Sequence, residues 1–219
     1  MASIMSTPPR SRTRKSPTAR RAEILTAAAR IGLSAGLENI TLRAVANSLD
    51  VRPGLIHHYF PSVDDLIVAA FRSAAGAGRF ERQAGHGTAT ERIARFVTNL
   101  ESREAKDQFR LWFSAREISR SSAAMAMALE ELEEMGRASM TQTIEAGIRD
   151  REFPDVDATM ACVRIYMALD GYGAYVNSPL PFEHIAYRYF VADVAEWALS
   201  LPPGTLRAHA EISHTLERP

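Results

Sequence analysis

Residues 41–66, TLRAVANSLDVRPGLIHHYFPSVDDL, read as a helix, a tight turn, a second short helix and the start of a third. Thr41 is placed to N-cap the first helix, because its hydroxyl can accept from a backbone N–H left free in the first turn. Leu42, Val45, Ala46 and Leu49 follow at i, i+3, i+4 and i+7, an apolar stripe along one face. Asp50 breaks the pattern with a residue type that tolerates the left-handed conformation of helix ends. Pro53 suits the first position of a new helix, since its missing N–H would go unpaired there anyway. The turn is therefore confined to residues 50–52. Beyond it Leu55, Ile56, Tyr59 and Phe60 supply apolar contacts, while Arg52, His57, His58 and the Tyr59 hydroxyl supply polar ones. Ser62 and Asp65 form a capping-box variant with Asp in place of the usual Glu or Gln, and Leu66 and Ile67 open the next apolar run.

A helix as short as the second is marginal by itself and must be held by packing. A helix-turn-helix unit does this by crossing its first helix against the second, whose N-terminal residues then face base edges in the DNA major groove. The corresponding exposed face here carries Arg52 and Gly54.

Thr41-Leu42-Arg43-Ala44-Val45-Ala46, Val51, Pro53-Gly54-Leu55-Ile56 and His58-Tyr59-Phe60 together resemble the signature of the TetR family of transcriptional regulators, and the wording of residues 56–60 resembles its BetI-like branch. The resemblance covers residues 19–66; the rest of the chain is similar to the family in length and helical character. It implies DNA contacts from Thr41, Arg43, Arg52, Pro53, Gly54, His57, His58 and Tyr59, with Arg20 and Arg21 beside them. It also implies a dimer, and repression in preference to activation. Two positions depart from the family pattern: Val63 stands where many relatives carry Lys, and His57 where many carry Tyr, so the grip on phosphate is thinner.

At 219 residues, 46% hydrophobic and 24% charged, the chain is long and apolar enough to bury a core. The lone Cys162 excludes an intramolecular disulfide and a Cys-based zinc site, which fits a reducing compartment. The longest run without Asp, Glu, Lys or Arg is residues 171–182, which holds two prolines, so no transmembrane helix is expected. The basic start lacks the apolar stretch of a signal peptide, and a cytoplasmic location is expected.

Net charge is zero but unevenly spread. Arg10, Arg12, Arg14, Lys15, Arg20 and Arg21 stand in the first 21 residues without an acid, so that segment carries +6 and the remainder −6. Residues 22–60 balance, and the positive pole adjoins the helix-turn-helix. Residues 1–16, rich in Ser, Thr, Pro and Arg, are expected to be disordered in the free protein. They are either a solvated tail or an arm reaching phosphates or the minor groove with strongly salt-dependent affinity.

The chain is expected to be all-α, with about nine helices and no alternating strand pattern. A three-helix bundle with the helix-turn-helix comes first and a larger helical ligand-binding and dimerisation domain follows. Ser16 and Pro17 open the first helix and Gly36 ends it, with Gly32 reserved for close packing. A connecting helix is expected from Asp64 to about Ala77, and Gly76, Gly78, Gly85 and Gly87 suggest a loose boundary after it. Further helices are read at 88–101, 105–119, 123–150, 155–176 and 182–201. The expected units are the arm (1–16), the DNA-binding domain (17–62), the ligand-binding and dimerisation domain (63–201) and a tail (202–219).

The last two helices are apolar over more than one face. Tyr187, Val191, Val194, Trp197, Ala198 and Leu201 are the candidate dimer contacts. They serve either a two-fold partner, which the family resemblance places on these helices as a four-helix bundle, or the core of a monomer. Phe96, Phe109, Trp112, Phe113, Met140, Tyr166 and Met167 combine rigid and adaptable apolar side chains, suited to a ligand pocket or to plain core. Arg116, Glu117 and Asp170 are the polar candidates there, able to orient a ligand, face solvent or pair. The expected partners are double-stranded operator DNA, a second copy of the chain and a mainly apolar small-molecule effector, with no membrane and no cofactor. A regulator without an effector is the alternative. An enzyme is a remote one: the six histidines form no HExxH or Glu-x-x-His pairs, no Gly-rich phosphate loop exists, and adjacent His57 and His58 diverge by about 100° on a helix, so no metal site is expected.

Overall fold

The computed structural model describes residues 16–83, 87–98, 100, 102–179 and 184–209. The arm before Ser16, Gly85, the start of the last helix at Phe182 and the end of the tail lie outside these. The described residues form nine α-helices and one 3-10 turn, with no strand.

Helix α1 (Pro17–Ala35) starts where local chemistry dictates: Ser16 accepts from the Ala19 N–H and Pro17 fills the first turn. Gly36, at φ 100°, ends it. A Cβ on Gly32 would stand 2.9 Å from Leu37 and 3.3 Å from Leu111, so this glycine does serve close packing. After the 3-10 turn (Leu37–Asn39), Thr41 caps α2 (Leu42–Ser48), with the Ala44 N–H donating to its hydroxyl at 3.0 Å. The turn into α3 (Pro53–Tyr59) is a Schellman end: the Val51 N–H donates to the Ala46 carbonyl and the Asp50 N–H to that of Asn47. Asp50 adopts the left-handed conformation at φ 52°. Ile56 and Phe60 are buried beneath α3, which holds a helix too short to persist alone.

Helix α4 (Val63–Gln83) is longer than expected and runs through Gly76 and Gly78. The glycines weaken a helix by about 1 kcal/mol each relative to alanine. Burial of Leu66, Ala70, Phe71, Ala74 and Ala75 outweighs that, packing α4 against α1 and against the later helices α6 (Arg103–Ser119) and α7 (Ala123–Arg149). Helices α5 (Ala89–Thr98), α8 (Ala158–Val176) and α9 (Ile185–Ala198) complete the second half.

Two hydrophobic clusters result. The first joins α1–α4 to Leu111, Trp112 and Ala115 of α6 and Met125, Ala128, Leu129 and Leu132 of α7. The second is built from α5, the later part of α7, α8, α9 and Leu206. The head is thus continuous with α6 and the first half of α7. The segment after α9 is also ordered: residues 205–209 make a helical turn against α9. Buried Glu196 accepts from the Gly204 and Leu206 N–H groups, Leu206 is fully buried, and Arg207 pairs with Asp193 and covers the Tyr189 ring.

Candidate nucleic-acid interface and cavity

The outer face of the helix-turn-helix is built by the same contacts that lock its inner face. With Ile56 and Phe60 turned inward, Arg52, Pro53, Gly54, His57 and His58 stand exposed along α3, and Thr41 and Arg43 at the start of α2 are exposed beside them. Tyr59 is half-buried, its ring 5.2 Å from that of His58. A Cβ on Gly54 would meet nothing within 4 Å, so no internal contact requires glycine there. Arg20 and Arg21 are already engaged within the chain. Arg20 pairs with Glu23 at 2.6 Å, and the Arg21 guanidinium lies 4.5 Å from the centre of the Phe60 ring, tying α1 to the end of α3.

A second feature is an apolar cavity between α5, α6 and α8, of about 570 Å³ counting its open mouth. Phe96, Phe109, Trp112, Phe113, Arg116 and Asp170 line it. Met140, Tyr166 and Met167 do not. Met140 is buried in the second cluster, Tyr166 lies against Phe96 with ring centres 6.0 Å apart, and Met167 is 68% exposed on α8. Arg95, Leu100, Ala105, Gln108 and Leu169 complete the wall. The α6 members fall at 105, 108, 109, 112, 113 and 116, a helical stripe that would have found Gln108 by spacing.

Arg116 and Asp170 on the wall are paired with each other. The Arg116 Nη2 donates to Asp170 at 2.8 Å and to Glu133 at 3.0 Å. Burial alone would lower the proton affinity of this guanidinium, but the two carboxylates outweigh it and hold its pKa above the ordinary value. Helix α6 also faces the head. The Arg110 Nη1 donates to the carbonyls of Leu33 and Ser34 at the end of α1, Ser114 donates to Glu38, and Trp112 meets Phe71 of α4 edge-on at 5.3 Å.

The candidate dimer residues divide between two environments. Val191 and Ala198 are buried in the chain's own core, and Val194 and Leu201 are half-buried. Tyr187 and Trp197 are exposed together with Phe190, and Met160, Val163 and Met167 are exposed along α8. Arg164 covers the Trp197 ring at 4.3 Å, and Tyr175 of α8 stacks on Tyr187 of α9 at 4.1 Å. Among the described residues no group of His, Cys, Asp and Glu side chains is placed to hold a metal, and no helix is long and apolar enough to cross a membrane.

A capped, tightly turned helix pair with an outward second helix, followed by a helical body with a cavity, defines a helix-turn-helix DNA-binding regulator. Residues 24–70 match the family model of bacterial regulatory proteins, tetR family. The match spans the helix-turn-helix and the start of α4, so this N-terminal domain is of the kind found in tetR-family regulatory proteins. No curated protein matches it in sequence. Among solved structures it is similar in fold to a choline-bound transcriptional regulator from Saccharomonospora viridis, with TM-score 0.69, 21% identity, and 82% of this chain and 96% of that one covered. Salmonella enterica GusR gives TM-score 0.65 at 18% identity, covering 85% and 98%. A TetR-family regulator from Cytophaga hutchinsonii gives 0.68 at 16%, covering 90% and 98%.

Proposed function

We propose that the protein is a cytoplasmic repressor that binds a palindromic operator as a homodimer and is released by a mainly apolar small molecule. The observation that carries the DNA-reading part is the outward face of α3, where Arg52, Gly54, His57 and His58 are exposed on a helix whose inner residues are locked in the core. Arg52 is the reader of a base, through a bidentate contact to guanine. His57, His58, Thr41, Arg43 and Tyr59 position the helix on phosphates, and Arg20 and Arg21 add positive charge, Arg21 also tying α1 to the end of α3 through the Phe60 ring. The exposed apolar side chains of α8 and α9 support a two-fold four-helix interface, which sets the spacing of two α3 helices at about 34 Å or a related distance.

The cavity supports the effector. Its lining on α6 shares a helix with the side chains that hold α1 and α4, so a molecule preferring a shifted α6 also shifts the head. The resulting loss of DNA affinity equals the ligand's differential affinity for the two states, about 1 to 3 kcal/mol in typical coupled systems. The aromatic wall also suits a cation such as the choline bound by the Saccharomonospora viridis regulator, the chemistry that a BetI-like reading favours. Pairing of Asp170 with Arg116 counts against it.

The test is a mobility shift of the purified protein on its own upstream region and on random DNA, with wild type and Arg52→Ala. Arg52→Ala weakens specific binding by about 1 to 3 kcal/mol and leaves random DNA nearly unaffected. Equal losses on both would make Arg52 a phosphate contact only. No binding to any fragment would overturn the reading.

A further inference from the structure

Gln108 sits on the cavity wall with its two amide ends in different situations. Its Nε2 donates to the Ala74 carbonyl of α4 at 3.1 Å. Only the nitrogen end of an amide can approach a carbonyl in this way, so the hydrogen bond fixes which end is which. The Oε1 is buried and has no hydrogen-bond partner. A buried acceptor left unmade is costly, and any group that donates to it recovers that cost. Around it the wall is aromatic, with Phe109, Trp112 and Phe113 on the same helix stripe, and the nearby ionic groups Arg116 and Asp170 are engaged with each other.

We infer that the cavity takes a neutral, largely apolar molecule carrying one O–H or N–H donor, and that Gln108 selects it by accepting that hydrogen bond at Oε1. The inference rests on the effector reading of the cavity and adds its chemistry. The apolar body displaces water from the aromatic wall. The donor meets the acceptor that no protein group reaches, and shifts the side chains that seal it. A hydrocarbon of the same shape leaves Oε1 unpaired, whereas a charged analogue loses its hydration without an opposite charge free to receive it. Because the other end of the same amide holds α4, the group that senses the donor is also bonded to the helix leading from the head.

Calorimetric titration of the full-length protein with 2-phenylethanol, ethylbenzene, 2-phenylethylammonium, phenylacetate and choline tests this, with operator release measured in parallel. The expected result is binding of 2-phenylethanol about tenfold or more tighter than ethylbenzene and than each charged probe. Gln108→Met, which keeps the volume and loses the amide, abolishes that preference by weakening the alcohol alone; Gln108→Leu serves as the second variant, with thermal unfolding monitoring both. Equal affinity of the alcohol and the hydrocarbon, a preference that survives both variants, or no binding of either neutral probe would overturn the inference. Tighter binding of a charged probe that also releases operator would overturn it while leaving the effector reading intact.

Discussion

Gly54 concentrates the argument at the scale of single residues. It stands in the first turn of α3, exposed, where a Cβ would touch nothing. Glycine in a helix costs up to about 1 kcal/mol relative to alanine, so Gly54→Ala should stabilise the free protein by a few tenths to about 1 kcal/mol in denaturant unfolding. If the α3 backbone lies against DNA, the same change should lower operator affinity; affinity that stays level or rises would remove the close approach. Thr41→Ala should cost about 1 kcal/mol of stability through the lost cap, and an unchanged unfolding midpoint would contradict that role. Such residues were legible in the sequence because their roles are local: Thr41, Asp50 and Pro53 act on backbone within a few positions. Gln108 was not singled out, since its partner Ala74 is remote in sequence, although its place on the α6 stripe was open to reading.

At the scale of elements, the ends of α1, α6, α7 and α8 fall within a residue of the sequence-based bounds, whereas α4 runs about six residues past its expected end, because packing decides how far a helix persists. Helix α4 outlasts its glycines through the burial of residues up to Ala75 on α1, α6 and α7, a long-range fact. The start of α5 shows another long-range device. The Glu152 carboxylate accepts from the N–H groups of Ala89 and Thr90 and from the Thr90 hydroxyl, at 3.1, 2.8 and 2.7 Å. Partial burial works to raise its pKa, but the hydrogen bonds from Thr90 and Ala89 outweigh burial and hold it below the ordinary carboxylate value. A group whose pKa is depressed on folding contributes stability above its unfolded pKa and loses it as pH falls through the folded one. Glu152→Gln should therefore lower stability at neutral pH by about 1 to 2 kcal/mol, and the gap to wild type should narrow as pH drops below about 4. A gap constant with pH would show that the charge of Glu152 does not matter.

For the whole molecule, the apolarity of the last two helices was evident in sequence, but its division was not. Val191 and Ala198 face inward while Phe190, Trp197, Met160, Val163 and Met167 face out, a choice made by how α8 and α9 pack on each other and on α5 and α7. Docking of Leu206 and Arg207 onto α9 was equally illegible, since it depends on buried Glu196 meeting backbone N–H groups beyond two prolines. Replacing Phe190 and Trp197 together by Asp should give a monomer in sedimentation with the same helical content and operator affinity reduced at least tenfold. A double variant that remains dimeric would place the interface elsewhere.

The central claim, that paired copies of the α3 face read DNA, is tested most directly by selecting ligands for the full-length protein from random duplex DNA. The account predicts enrichment of a palindrome whose half-sites are centred about 10 base pairs apart or at a related spacing, and loss of one guanine from each half-site when Arg52→Ala is used instead. Failure to enrich any sequence, or an enriched motif without two-fold symmetry that Arg52→Ala leaves unchanged, would contradict it.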